Sequence, residues 1–140
     1  VQLKKLNFNL NKRQKNFDIH TKFLKKYVKY FVLPKQLAGS KSGWLAYPIT
    51  IKNNILFTRT EMQIFLEKRN IQTRVVFTGN ILRQPGFKNL KVKKNKKGYP
   101  EADKVMRNGI LIACHHGLND KMISHIHQSI DKFIYSKEKN

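Results

Sequence analysis

The amino-acid sequence predicts an α/β domain, and three features support this class. Its 140 residues are enough for one domain with a hydrophobic core. A hydrophobic fraction of 40% that includes nine Phe argues against a disordered chain. Helical and strand-like hydrophobic patterns follow one another along the chain, and a helix followed by a strand is typical of an α/β unit rather than a helical bundle.

The first predicted element is a long helix within residues 1–29. Apolar residues recur there at intervals of three, four and seven, which places them on one helical face: Leu3, Leu6, Leu10, Phe17, Leu24 and Val28. Residues 7–11 are rich in Asn, which has low helix propensity, so we expect a break or kink there. No capping residue precedes the helix, which leads us to expect a chain that begins inside a larger protein.

Short strands are predicted next. Residues 30–33 are apolar and end at a proline, and residues 44–51 are rich in aromatic and β-branched side chains. Pro48 cannot donate a backbone hydrogen bond, so it indicates an edge strand or a bulge. Another strand is expected to end around residues 55–57.

Thr58 and Glu61 have the spacing of a capping box, which predicts a helix start. The apolar face of this helix consists of Met62, Phe65 and Leu66, and its end is expected near Arg69–Asn70. A strand over residues 75–77 follows.

The remaining chain combines a basic loop with two helices and a strand. Residues 88–97 are a basic, low-complexity run, and residues 101–106 predict a short helix. Residues 109–113 are continuously apolar, as in a buried strand. Asn119 can cap the last helix, whose apolar face contains Met122, Ile123, Ile126, Ile130, Phe133 and Ile134. Residues 136–140 are expected to fray.

The loop after the 75–77 strand carries the best candidate ligand-binding side chains. Asn80, Arg83 and Gln84 lie between Gly79 and Pro85. A guanidinium can hold a phosphate or carboxylate through two hydrogen bonds, and an amide can pair with hydroxyl groups. A plain surface turn is the alternative, because Gly, Asn and Pro also cluster in turns for conformational reasons.

The net charge of +21 raises nucleic acid or an anionic membrane as partners. The excess is mostly Lys scattered along the chain, and it accompanies abundant Asn, Ile and Phe, as in proteins from AT-rich genes. Nucleic-acid binding is therefore a minor alternative. No stretch approaches the roughly 20 apolar residues of a membrane span. A single cysteine excludes an internal disulfide, and we expect a cytoplasmic protein.

A metal or nucleophile site is poorly supported. Cys114, His115 and His116 are adjacent at a strand end, where neighbouring side chains diverge, and His125 and His127 are two apart on a helix. We expect no metal ion, and a histidine that contacts a ligand or partner instead. With only eight acidic residues in the chain, we assign no catalytic residue.

Trp44 and Tyr47 are three apart in a predicted strand and are expected on opposite faces of it. One of them could stack on a base or sugar, or both could cap the core.

Several motifs, in the same order, resemble the C-terminal part of the sugar-nucleotide aminotransferase and dehydrase family of fold-type I pyridoxal-phosphate enzymes. The resemblance is strongest to its CDP-linked 4-keto-6-deoxyhexose 3-dehydrase branch and covers nearly the whole chain. The matching segments are Val1–Leu6 with Arg13 and Asn16, Trp44-x-x-Tyr47-Pro48-Ile49, Thr73-Arg74, Phe77-x-Gly79-Asn80-x-x-Arg83-Gln84-Pro85 and Ala102–Met106.

The resemblance implies a long interdomain helix over residues 1–29 and a C-terminal small domain over residues 30–140. That domain has a small, mostly antiparallel sheet with helices packed on it. The implied enzyme is a homodimer that dehydrates or transaminates a nucleotide-linked 4-keto-6-deoxy sugar for lipopolysaccharide synthesis. Pyridoxal or pyridoxamine phosphate, the catalytic Lys or His and any iron–sulfur cluster belong to the large domain, which this chain lacks. This chain alone is therefore expected to be inactive.

By the same resemblance, Asn80, Arg83 and Gln84 lie near the sugar or phosphate, and Trp44 with His115 or His116 lines the cleft. Three departures leave dehydration or transamination open. Leu45-Ala46-Tyr47 replaces a common Phe-Gly-Phe, Lys104 replaces an Arg, and His115-His116-Gly117 replaces Tyr-Pro-Gly. A nucleic-acid-binding module and a noncatalytic interaction domain stay open as other classes.

Overall fold

The structure is a computed structural model that describes residues 3–53, 56–87, 89–93 and 95–139. Four helices and four strands alternate in these ranges: α1 (Leu6–Leu24), β1 (Phe31–Val32), β2 (Ala46–Ile51), α2 (Arg59–Glu67), β3 (Arg74–Val75), α3 (Pro100–Asn108), β4 (Gly109–Ala113) and α4 (Asp120–Glu138). Short 3₁₀ turns precede α1, follow it, and occupy Ile81–Arg83 and Pro85–Phe87.

The strands form one sheet in the order β1-β2-β4-β3, and every neighbouring pair is antiparallel. Its centre is the β2–β4 pair, in which Tyr47 lies opposite Ile112 and Ile49 lies opposite Ile110. These four side chains are buried on one face of the sheet. The predicted small antiparallel sheet is confirmed.

The core lies between this sheet face and three helices. Phe17 and Leu24 come from α1, Met62 and Leu66 from α2, and the largest share from α4, namely Ile126, Ile130, Phe133 and Ile134. Each fully buried aliphatic or aromatic side chain contributes roughly 1.5–3 kcal/mol relative to exposure. The apolar faces predicted from the helical periodicities therefore pack α1, α2 and α4 against the sheet.

Two helices begin at the side-chain caps predicted from the sequence. The Thr58 hydroxyl accepts a hydrogen bond from the Glu61 backbone N–H at 3.2 Å, and the Glu61 carboxylate accepts one from the Thr58 N–H at 2.7 Å. Asn119 Oδ1 accepts a hydrogen bond from the Met122 N–H at 2.9 Å. Both caps depend only on residues within one turn, so the local sequence suffices to predict them.

The long first helix differs from expectation in two ways. It runs without a break from Leu6 to Leu24, so the expected kink over residues 7–11 is wrong. Low helix propensity costs only tenths of a kcal/mol per residue, up to about 0.7, and the rest of the helix outweighs it. Of the predicted apolar stripe only Phe17 and Leu24 are buried, whereas Leu3, Leu6 and Val28 are exposed.

Pro48 does not lie on an edge strand or at a bulge, because β2 is interior and its pairing with β4 is continuous. The physical reason for the prediction still holds locally. β1 pairs with β2 only at Thr50 and Ile51, so no β1 residue lies opposite Pro48.

Other boundaries shift by a few residues. Leu56 and Phe57 are not in a strand, and Ile55 lies outside the described residues. The strand expected over 75–77 is Arg74–Val75, because the chain turns at Phe77, which has a positive φ of 44°. The last helix continues to Glu138 rather than fraying from residue 136, and Asn140 lies outside the described part. No helix in the described ranges has the length and apolar character needed to cross a membrane.

Candidate functional site

The loop after β3 is packed directly against the backbone of α3. Gly79 has a φ of 64°, and a Cβ atom placed on it would lie 2.3 Å from Met106 Cβ and 2.4 Å from Met106 Cα. A residue with a side chain at this position would therefore be strained by the left-handed backbone conformation, and its Cβ would clash with Met106. The contact holds the next five residues close to α3.

Asn80 is buried, with 6% of its surface exposed, and both of its polar side-chain atoms have partners. Its Oδ1 accepts a hydrogen bond from the Leu82 N–H at 3.1 Å and so caps the Ile81–Arg83 turn. Its Nδ2 donates to Asp103 Oδ1 at 2.7 Å. Asn80 thus joins its own turn to α3.

Arg83 binds the same carboxylate through two atoms. Its Nε donates to Asp103 Oδ1 at 3.1 Å and its Nη2 to Asp103 Oδ2 at 2.9 Å. The Arg83 guanidinium and the Asn80 amide lower the pKa of Asp103, and Asp103 in turn raises the pKa of Arg83. The Arg83 side chain is 63% exposed, so its outer edge stays accessible to a ligand.

Gln84 completes this group, which we call the Asp103 clamp: Asn80, Arg83, Gln84 and Asp103. Gln84 Nε2 donates to the Thr78 carbonyl at 3.1 Å and lies 3.9 Å from Met106 Sδ. A small cavity of about 180 Å³ adjoins the clamp; its lining includes Asn80, Arg83, Asn95 and Tyr99. Three of these four residues were predicted from the sequence; Asp103, the shared partner of Asn80 and Arg83, was not.

The other predicted site residues lie near α1. Trp44 stacks on Phe17 with ring centroids 4.0 Å apart, and Tyr47 also contacts Phe17, at 5.1 Å. The expectation that Trp44 and Tyr47 occupy opposite faces is wrong, because β2 begins at Ala46 and Trp44 is outside the strand alternation. Trp44 Nε1 donates to Gln36 Oε1 at 3.3 Å. Trp44 therefore covers the core, as the alternative interpretation held.

Both histidines after β4 are exposed. The backbone carbonyl of His115 accepts a hydrogen bond from Asn16 Nδ2 at 2.8 Å, and its Nδ1 accepts one from the Gly117 N–H at 3.1 Å. His116 Nδ1 lies 3.4 Å from Arg13 Nη2. Their ring orientations thus depend on contacts within the loop and with α1.

Cys114, between β4 and these histidines, is fully buried. Burial raises the pKa of its thiol to about 12, so the thiolate that a nucleophile requires is scarce at neutral pH. Its Sγ lies 3.7 Å from the Arg13 carbonyl. The cysteine packs as a small hydrophobic residue.

The six predicted substrate-binding residues form two groups at opposite ends of β4. β3 is antiparallel to β4, so the chain leaving Val75 runs toward the start of β4, where the Asp103 clamp lies. His115 and His116 follow the end of β4, and Trp44 precedes its partner strand at that same end. At roughly 3.3 Å per residue, the five residues of β4 separate the groups. Their assignment to substrate stays a prediction.

A histidine pair that was not predicted from the sequence joins α1 to α4, with His20 fully buried and His127 half-buried. His20 Nδ1 lies 2.9 Å from His127 Nε2, and His20 Nε2 lies 3.0 Å from the Ala113 carbonyl. A carbonyl only accepts, so His20 Nε2 carries the proton and His127 Nε2 donates to His20 Nδ1. Burial lowers the pKa of both rings to about 4. The position of His20, three residues after Phe17 and four before Leu24, was the available signal.

Metal binding has no support within the described ranges, where no three His, Cys, Asp or Glu side chains converge on one point. His125 Nε2 lies 2.8 Å from the Arg69 carbonyl, whereas His127 turns toward His20.

The model of the DegT/DnrJ/EryC1/StrS aminotransferase family matches residues 1–131. The lipopolysaccharide biosynthesis protein RfbH of Salmonella typhimurium is 27% identical over 133 residues, which are 95% of this chain and 30% of RfbH. The dTDP-4-dehydro-2,6-dideoxy-D-glucose 3-dehydratase of Saccharopolyspora spinosa is 33% identical over 103 residues, or 74% of this chain and 22% of the relative.

Solved structures share the fold. An aminotransferase from Psychrobacter cryohalolentis matches with a TM-score of 0.86 at 17% identity, over 98% of this chain and 37% of that one. PseC, an aminotransferase of pseudoaminic acid biosynthesis in Helicobacter pylori, matches with a TM-score of 0.80 at 24% identity, over 96% of this chain and 35% of PseC. This chain thus spans under a third of the length of the two sequence relatives.

Proposed function

The chain belongs to the DegT/DnrJ/EryC1/StrS aminotransferase family, and from this premise we propose that it is the C-terminal domain of an enzyme acting on a nucleotide-linked 4-keto-6-deoxy sugar. The reaction is 3-dehydration or transamination. The name of the Saccharopolyspora spinosa relative, a 3-dehydratase of a dTDP-linked dideoxy sugar, supports the substrate class. The name of RfbH supports a place in lipopolysaccharide synthesis.

The cofactor of this proposal is pyridoxal or pyridoxamine phosphate, which supplies the electron sink for such chemistry. The described residues of this chain do not by themselves fit it. All lysines among them are at least partly exposed, whereas a lysine that forms a Schiff base needs a desolvated site. The one buried carboxylate, Asp103, already binds Asn80 and Arg83. We therefore propose that a separate large domain holds the cofactor.

The exposed start of α1 supports this division. Leu3 is 84% exposed and Leu6 is half-exposed, although both continue the apolar stripe that buries Phe17 and Leu24. Apolar side chains in such a stripe are usually covered. We propose that residues 1–29 bridge the two domains, with residues 30–140 as the small domain, and that the complete enzyme works as a cytoplasmic homodimer.

The single observation that carries the substrate assignment is the Asp103 clamp. It fixes the Gly79–Gln84 loop on α3 and orients the Arg83 guanidinium, whose side chain is 63% exposed. An arginine oriented in this way can hold a phosphate or sugar oxygen without further ordering, and this lowers the entropic cost of binding. Trp44, His115 and His116 would contribute from the other end of β4, where a second domain or subunit has to complete the cleft.

The test uses the complete open reading frame that contains this chain. The protein purified from this reading frame should bind pyridoxal phosphate and convert a nucleotide-linked 4-keto-6-deoxy sugar. Mass spectrometry measures the loss of water or the gain of an amino group. Arg83→Ala should weaken substrate binding by about 1–3 kcal/mol if Arg83 binds a charged group. A purified protein without cofactor absorbance would contradict the enzyme assignment. Unchanged KM and kcat in Arg83→Ala would remove Arg83 from the site.

A further inference from the structure

A second group of cations lines a cleft next to the Asp103 clamp. This cleft, which we call the basic cleft, has a volume of about 560 Å³, and Lys52, Arg59 and Arg107 are among the residues that line it. Thr58, Thr60 and Asn108 add hydroxyl and amide groups to its wall. Its size lies within the roughly 300–1,000 Å³ that is usual for small-molecule sites.

The three cations come from three different elements. Lys52 directly follows β2, Arg59 is the first residue of α2, and Arg107 lies in the last turn of α3. Arg107 is 45 or more residues away from both Lys52 and Arg59 along the chain. It is therefore the fold that brings Arg107 to the other two cations. No sequence motif indicates it.

Part of the cleft wall is ordered by hydrogen bonds. Arg59 Nη1 donates to the Met106 carbonyl at 2.8 Å, which ties the start of α2 to the end of α3. Asn108 Nδ2 donates to Asn53 Oδ1 at 2.8 Å across the rim. Arg59 Nε is buried and finds no acceptor among the described residues. A buried N–H without an acceptor is uncommon in folded proteins.

The three cations of the cleft are not neutralised by direct ion pairs among the described residues. None of the described residues that line the cleft is acidic. Glu61 caps α2 and pairs with Lys137. Asp103 pairs with Arg83, and the charge of Arg107 further lowers the pKa of Asp103.

An anion with several charges and several acceptor oxygens fits these features best, and a phosphoryl group has both. We propose that the basic cleft binds the diphosphate group of a nucleotide-linked ligand, through Lys52, Arg59 and Arg107. That the ligand is a nucleotide-linked sugar rests on the proposed function, whereas the anion site rests on the cleft itself. Arg83, already neutralised by Asp103, would then face the sugar rather than the diphosphate.

The first turn of α2 is a minor contributor to this site. Its capping box already satisfies the Thr58 and Glu61 N–H groups, and the Glu61 carboxylate occupies the helix start. Binding therefore has to come from side chains, and substitution of a single exposed cation is an informative test. Arg107 suits it, because its side chain makes no hydrogen bond within the described part of the chain that a substitution would break.

The experiment is an NMR titration of the ¹⁵N-labelled 140-residue chain with inorganic pyrophosphate at about 0.15 M salt, where unspecific surface attraction is screened. We expect saturable shifts centred on the amides of Lys52, Arg59 and Arg107. Arg107→Gln should weaken binding about fivefold or more, because one charge-assisted contact is lost. The control, Lys121→Gln, removes the same charge from an exposed position on α4 and should change affinity less than about twofold.

Two results would overturn the site. One is an equal loss of affinity in both variants, since binding would then follow net charge. The other is a set of unsaturated shifts spread over the lysine-rich surface. The fingerprint spectrum of Arg107→Gln shows at the same time whether the variant is folded.

Parallel titrations with orthophosphate and with a nucleoside diphosphate distinguish the sources of the phosphoryl group. The nucleoside diphosphate should shift the same three amides and bind at least as tightly as pyrophosphate. If it shifts other residues instead, the diphosphate assignment fails. In the complete enzyme, turnover with an unchanged KM in Arg107→Gln would refute this inference and leave the proposed function standing. If pyrophosphate binds in the cleft but the complete enzyme does not convert the sugar, the proposed function is refuted and the anion site stands.

Discussion

At the scale of single residues, Asp103 is the most consequential side chain outside the hydrophobic core. It is 8% exposed and accepts hydrogen bonds from both Asn80 and Arg83. A buried carboxylate is tolerated only with such partners, and each partner in turn depends on it. The two residues singled out as ligand contacts therefore owe their positions to a third.

Asp103→Ala should lower the free energy of unfolding by about 1–3 kcal/mol, because it leaves the buried Asn80 amide without an acceptor. Urea denaturation of the chain measures this. The matched control is Glu101→Ala in the same helical turn, where the side chain is 84% exposed. It should change stability by less than about 0.5 kcal/mol. If both substitutions change the free energy of unfolding equally, the hydrogen bonds of the Asp103 clamp do not stabilise the fold.

The buried histidine pair should make the domain sensitive to acid. Both folded-state pKa values are lowered from 6.5 to about 4, so between these values the unfolded chain binds more protons than the folded one. The free energy of unfolding therefore rises with pH through this window and is constant above it. For His20, which is fully buried, the loss on going to pH 4 is at most about 3 kcal/mol.

Urea denaturation between about pH 4 and pH 7 measures this slope. His127→Gln should reduce it, because one of the two titrating rings is removed. His125→Gln, two residues earlier, is the matched control, because its ring hydrogen-bonds the Arg69 carbonyl and not His20. A pH-independent stability in the unmodified chain would contradict the inferred neutral pair.

At the scale of elements, the contact between the Gly79–Gln84 loop and α3 decides where the candidate site lies. The two glycines at 79 and 98 have similar φ values of 64° and 69°, but they differ in surroundings. A Cβ at Gly98 has no neighbour within 4 Å, whereas one at Gly79 collides with Met106. Substitutions at these two glycines therefore distinguish the cost of backbone strain from the cost of a steric clash.

Gly98→Ala should cost about 1–2 kcal/mol, the penalty of a left-handed alanine. Gly79→Ala should cost clearly more, because the α3 backbone has to move as well. Urea denaturation of both variants gives the difference. If the two costs are the same, the close packing of the loop on α3 is refuted.

The elements that were predictable from the sequence are those whose determinants are local. The caps at Thr58 and Asn119 need only a few neighbouring residues, and both are confirmed. The break expected in α1 and the edge position expected for Pro48 both failed, because the first depends on the whole helix and the second on the strand order. Propensity is a weak prior wherever tertiary contacts decide.

At the scale of the whole molecule, the exposed start of α1 should matter only in the complete enzyme. Leu3→Lys should change the stability of this chain by less than about 0.5 kcal/mol, since Leu3 is already exposed. In the complete enzyme it should lower the melting temperature, because a charge would face the large domain. Leu37→Lys, at an equally exposed leucine in a loop, is the control. Identical melting temperatures of the two variants would argue against a domain contact at Leu3.

The sequence by itself determined the helical faces, the two caps, the buried β4 strand and, through the order of its motifs, the family to which the chain belongs. These features depend on residues that are neighbours along the chain. Only the tertiary structure decided that Asp103 holds Asn80 and Arg83, that His20 meets His127, and that Lys52, Arg59 and Arg107 share a cleft. Asp103 lies 20 residues from Arg83 and His20 lies 107 residues from His127, so these contacts form only when the helices pack on the antiparallel sheet.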